Sequence, residues 1–254
     1  MRPATLNITS LTAFFSRQDV LPPVEVDGRL VPVAVVRSAR ARRAALRVDA
    51  VRGEIRLTLP ARLALKHAEH LLHDHHQWIA DRLRAMHAPL PIAPGRKIPF
   101  RGTPLLIDWQ PGAARTPILD GERLMLGGPT PSVASRVERW LKAQALDALT
   151  ADTLHYAEKA GRVVETVRVA DPRARWGSCS ASGRIAYSWR LILAPDWVRQ
   201  SVAAHEVAHL VHLNHSPAFH RLNRELLGSD PAPARAWLRK NGSGLYWVGR
   251  ARSD

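Results

Sequence analysis

An α+β fold is predicted for this chain: a β-rich N-terminal part with one long helix, then a compact domain whose histidine-bearing helix packs beside a small antiparallel sheet. Three observations predict it. Apolar residues alternate between Gly-containing turns over Val24 to Leu59 and over Ile98 to Leu126, the period of half-buried strands. Apolar residues recur at helical spacing over Pro60 to His87, over a stretch opening at Ser132 or Ser135, and over Pro195 to about Leu213. Gly127-Gly128-Pro129-Thr130-Pro131 reads as the boundary between halves. The expected organisation is a tail over 1–22, a β-rich region over 23–130 and a second domain over 131–254.

The chain has 254 residues, 46% apolar and 23% charged, an ordinary globular balance. Its single cysteine, Cys179, excludes an intramolecular disulfide framework and a four-cysteine metal site, and suits a reducing compartment. Residues 1–18 lack the continuous apolar core of a signal peptide, and no stretch approaches the roughly 18 apolar residues of a membrane span. A soluble cytoplasmic protein with no membrane partner is therefore expected. The net charge of +15 raises nucleic acid or another polyanion as a partner, but the excess is mostly arginine. An arginine-biased composition explains that skew without a site.

Taken in order, Val24 to Val33 carries an Asp27-Gly28 turn between alternating stretches, a hairpin signal, and a second pair, Ala45–Val51 and Glu54–Leu59, turns about Arg52-Gly53. Arg37, Arg40, Arg42 and Arg43 between the pairs read as a solvated edge, since no aromatics are interleaved to stack on bases. Pro60 to His87 reads as the long helix, with Ala68, Leu72, Ile79, Leu83 and Met86 on one side. Its His67, His70, His73, His75 and His76 spread around the axis at 100° per residue and so do not converge on an ion. Strands with turns at Arg101-Gly102, Pro111-Gly112 and Asp120-Gly121 follow. Next come a helix bearing Val133, Val137 and Leu141 and ending near Gly161, a strand over Arg162 to Ala170, and a hairpin spanning Arg173 to Leu193.

The chemistry-bearing stretch is His205-Glu206-Val207-Ala208-His209. On a helix, residues four apart stand one turn above each other and about 40° apart in projection, so both imidazoles reach one ion. That arrangement suits zinc, and Glu206 flanks the same face, where it can take a proton from the attacking water. A catalytic zinc has three protein ligands and an open position. His212 projects the right way but stands about 10 Å further along a straight axis. Asn214 can end the helix in a left-handed conformation and let His215 fold back, with Ser216-Pro217 capping a new helix that carries Phe219, Leu222 and Leu226. His220 and Glu225 are the reserve ligands.

Arg175-Trp176-Gly177-Ser178-Cys179-Ser180, Trp189-Arg190-Leu191, Ala194-Pro195, and the His205–Leu210 motif with Asn214-His215-Ser216-Pro217 and Phe219 together resemble the YgjP-like metallopeptidase family. The resemblance extends, more loosely, over Leu46-Arg47-Val48, Trp78-Ile79 and Phe100-Arg101-Gly102. It implies a zincin-like domain over 131–254, related in outline to SprT-like proteases, with His205, His209 and His215 as ligands of one Zn2+ and Glu206 as general base. Where the family tends to have tyrosine, four residues before the first metal histidine, this chain has Ser201. The expected function is a zinc-dependent metallopeptidase that hydrolyses peptide bonds through a metal-activated water, with a peptide or protein as substrate. Arg175 and Tyr187 are candidate substrate-binding donors. Hydrolysis of nucleoside phosphates is the alternative, since an arginine-rich surface also welcomes phosphates. A nucleic-acid-binding protein with a metal site is the third reading.

Overall fold

The computed structural model describes residues 21–26 and 29–250. The predicted tail, apart from Leu21 and Pro22, and the Asp27-Gly28 turn lie outside the described residues. The chain divides into two compact units between Met86 and His87.

In the first unit, β1 (Val24–Val26) pairs antiparallel with β2 (Arg29–Val31). A three-stranded sheet orders β3 (Val33–Ser38), β5 (Glu54–Pro60) and β4 (Ala45–Asp49), with β4 antiparallel and β3 parallel to the central β5. The two-residue period of β5 buries Ile55, Leu57 and Leu59 completely. The expected single helix over Pro60 to His87 is instead two helices, α1 (Lys66–Asp74) and α2 (His76–Arg84), joined at His75, whose φ of −107° breaks the helical run. Pro60 itself ends β5. The apolar stripe runs through Ala68 and Leu72 and resumes at Ile79 and Leu83, with nothing apolar over residues 73–77 to bury and hold one continuous helix. Of the four clustered arginines, Arg37 donates to the carbonyls of Pro60, Ala61 and Leu63.

The second unit opens with a four-stranded sheet, β6 (Lys97–Phe100), β7 (Thr103–Trp109), β8 (Ile118–Asp120) and β9 (Arg123–Leu126), in the order β6-β7-β9-β8. Helix α3 (Val133–Lys159) buries Val133, Val137, Leu141, Ala145, Leu149 and Thr153, a stripe at every fourth residue. Phe100, Leu105, Ile107, Leu124 and Leu126 of the sheet share one core with this stripe and with the helices that follow. Residues 97–126 therefore belong to the second compact unit, and the glycine-proline run at 127–131 lies inside it.

A smaller sheet orders β10 (Thr166–Ala170), β12 (Arg184–Ser188) and β11 (Gly177–Cys179). The expected hairpin is the antiparallel β11–β12 pair, and β10 joins β12 in parallel. A 3-10 turn over Trp189–Leu193 leads into α4 (Asp196–Ala208), followed by α5 (Pro217–Leu227) and α6 (Ala232–Leu245). The start of α4 is fixed by charge: Arg199, almost wholly buried, bonds Asp152 of α3 at 2.7 Å and also pairs with Asp196, which Arg101 grips from the β6–β7 turn. A Cβ on Gly102 would lie 2.9 Å from Pro195, so that turn has to be glycine to sit against the helix start. Among the described residues no helix is long and apolar enough to cross a membrane.

Candidate metal centre

Helix α4 ends at Ala208, earlier than its sequence pattern suggests, so His205 stands in the last turn and His209 caps it. Asn214 is not left-handed; Arg101 is the non-glycine with positive φ among the described residues. The chain turns through residues 209–215 instead, and the Asn214 side chain accepts a hydrogen bond from the Ser216 backbone at 3.3 Å. Ser216 then caps α5 by accepting from the Phe219 N–H, with Pro217 in the first turn and Gly228 left-handed at the far end. This tight corner is what brings His215 back.

The ligand atoms of His205, His209 and His215 all lie within 4.8 Å of one another, and among the described residues this is the group of metal-ligating side chains that converges. The Nε2 atoms of His205 and His215 are 3.3 Å apart. Two nitrogens bound to one tetrahedral zinc at about 2.0–2.1 Å lie roughly 3.3–3.4 Å apart, so the donors present fit that ion. His209 directs Nδ1 at the carbonyl of His212, 3.0 Å away, which leaves Nε2 for the centre. Phe219 lies beneath all three rings, at centroid distances of 4.9, 4.5 and 4.8 Å, and is itself fully buried.

Glu206 is 6% exposed. Burial pushes its carboxyl up to about 7, against the opposing charge of Arg175. Burial likewise pushes His205 down to about 4, helped by its neighbours His209 and His215 and by Arg235. The opposite wall is β11, where a Cβ on Gly177 would stand 2.6 Å from Cγ and 2.7 Å from Cδ of Glu206. Only a glycine leaves room for the carboxylate there. A cavity of about 260 Å3 opens beside these groups, lined by His205 and Glu206, by Arg175 and Gly177, and by Asn223 and Arg235 from α5 and α6. Ser201, one turn before His205, is buried in its wall.

The remaining sequence candidates fall elsewhere. Tyr187 is fully buried on β12, and Thr153 spends its own proton on the Leu149 carbonyl, so the tyrosine hydroxyl donates to Thr153 at 2.9 Å. It is thus a core hydrogen bond and not a donor lining the cavity. His220 stacks on His215 at 6.2 Å but is exposed, and neither it nor Glu225 joins the converging donors. The Cys179 thiol, pushed up to about 11 by burial and the nearby Glu206, is poorly suited to nucleophilic chemistry. Sequence reading missed Gly177 as a contact, Asn223, and all of α6. The signal for α6 was present in Pro231 followed by Ala234, Leu238 and Leu245 on one face.

A buried carboxylate beside three converging imidazoles is the side-chain set of a metal-dependent hydrolase. Comparison with protein families makes this particular: the YgjP-like metallopeptidase domain matches residues 42–241, and the chain belongs to that family. It is a metal-dependent peptidase, which implies a metal ion and a peptide or protein substrate. No curated protein and no solved structure matches the chain.

Proposed function

We propose that this protein hydrolyses peptide bonds at one zinc ion held by His205, His209 and His215, with Glu206 as the general base. The observation that carries the reading is the convergence of the three imidazoles directly beside a buried glutamate. A three-imidazole set suits zinc, which when bound polarises a carbonyl and lowers the pKa of water to about 7. Residue roles follow from position. Glu206 takes the proton of the attacking water and returns it to the leaving nitrogen. Gly177 keeps the space that this carboxylate needs. His212 fixes the ring of His209 through its carbonyl.

The substrate's place is suggested by β11. In the order β10-β12-β11 it is an edge strand, so an extended peptide can add to its open side and lie across the centre. Glu206→Gln tests the proposal, because it preserves shape while removing the base. Both proteins are expected to bind about one zinc, and only the unaltered protein to cleave a peptide library, the variant losing about 10²–10⁴-fold in kcat. Equal hydrolysis by both, or turnover confined to a panel of nucleoside triphosphates, would overturn it.

A further inference from the structure

The cavity beside the metal centre is built from more than the reaction needs. Arg175 enters it from the residue pair preceding β11, and Arg235 from the first turns of α6. Both are exposed, and among the described residues neither side chain makes an ion pair or hydrogen bond. Some arginines of this unit do have carboxylate partners, among them Arg190 with Asp171, Arg199 with Asp152 and Asp196, and Arg123 with Asp108. The sole acidic side chain lining this cavity is Glu206. Opposite stands Asn223, 1% exposed, whose Oδ1 is buried without a hydrogen-bond partner. A buried acceptor left unpaired costs on the order of 1–3 kcal/mol and calls for a donor from outside.

The C-terminal end of α6 and the residues just after it are held against the segment that leads into β11 and against the 3-10 turn. Arg190 donates to the carbonyls of Leu245 and Val248, Trp176 packs on Tyr246 at 5.4 Å, and a Cβ on Gly242 would strike the Trp176 ring at 2.7 Å. Arg235 stands at the other end of that helix.

Resting on the peptidase reading, we propose that Arg175 and Arg235 bind a carboxylate of the peptide substrate in this cavity while Asn223 accepts a substrate N–H. Size fits this occupant. At about 260 Å3 the space has room for one amino-acid residue. Chemistry fits it too: a peptide brings a carboxylate for the two arginines and an N–H for Asn223 together. Val202, Pro231, Ala234 and Leu238 supply an apolar wall for the carbon skeleton between them.

Two sources of carboxylate remain, the chain terminus and an acidic side chain, and the experiment separates them. Zinc-loaded full-length protein is given one peptide sequence in matched forms: free or amidated C-terminus, and Glu or Gln after the cleaved bond, with kcat/KM measured for each. A charge-assisted bidentate contact is expected to favour a carboxylate form about 10–10²-fold. That ratio is expected to fall to about one in Arg175→Gln/Arg235→Gln and to recover in part with Arg235→Lys. Preference for the free terminus assigns an exopeptidase, and preference for Glu a side-chain specificity. Cleavage of all forms at one rate overturns the inference and leaves the peptidase reading standing. Cleavage of none, with zinc bound, overturns both. Calorimetric binding of the same peptides to Glu206→Gln reads the carboxylate preference without turnover, and equal affinity for the acid and amide forms would also overturn it.

Discussion

Two regions of this molecule are rich in histidine, and only one of them gathers its imidazoles. Helices α1 and α2 with their junction carry five, all exposed and spread around the helical surface. The corner between α4 and α5 brings three to within 4.8 Å. The number of histidines is not what differs. At the corner, two stand four residues apart on a helix that stops at once, a capped reversal returns the third, and a buried phenylalanine backs all three rings. The convergence of imidazoles here is a property of chain geometry and packing, with composition contributing little.

The largest expected effect follows from the corner itself. His209→Ala removes a proposed ligand and is expected to cost at least the about 10²–10⁴-fold of a lost general base, read as kcat/KM on a cleaved peptide. Activity within tenfold of the unaltered protein would place the centre elsewhere. Gly177→Ala comes next: the added methyl displaces Glu206 without touching the proposed ligands, so about 10²-fold is expected to be lost in kcat with metal binding kept. Loss of zinc with the activity would show that Gly177 supports the fold rather than the base.

Packing is the third way to sharpen the contrast. Phe219→Ala should destabilise the protein by about 3–5 kcal/mol in denaturant unfolding and weaken zinc binding with it, because the floor under the three rings is removed. An unchanged midpoint would mean that the rings need no support. The smallest effect belongs to the start of α4. Burial tends to raise the Asp196 pKa, but hydrogen bonds and charges from Arg101 and Arg199 outweigh it and hold the carboxyl below its ordinary value. A depressed folded pKa gives stability that is present above the unfolded pKa and lost as pH falls through the folded one. Asp196→Asn should therefore destabilise the protein near pH 7, modestly because Arg199 keeps Asp152 and the Arg101 pair is partly exposed, and the difference should shrink as pH falls below the ordinary carboxylate range.

The contrast also shows what sequence can carry. His205, Glu206 and His209 were legible because helical spacing is a local rule, and Ser216-Pro217 was legible because capping is. The corner was found for a partly mistaken reason: the reversal needed no left-handed Asn214, only an early end to α4 and an Asx turn. Helix α1–α2 was read as continuous because its break depends on missing burial at residues 73–77, which only packing reveals. Tyr187 looked like a donor beside the site, yet its partner Thr153 lies 34 residues away in sequence. Arg235 and Asn223 were missed for the same reason, since α5 and α6 meet the cavity only once the chain has folded.

The most direct test is a count of metal by elemental analysis after dialysis, in three proteins: the unaltered chain, a variant with His67, His70, His73, His75 and His76 all changed to Gln, and His205→Ala/His215→Ala. About one zinc per chain is expected in the first two and essentially none in the third. Retention of zinc by the corner variant, or its loss from the variant altered in α1 and α2, would contradict the assignment of the metal centre.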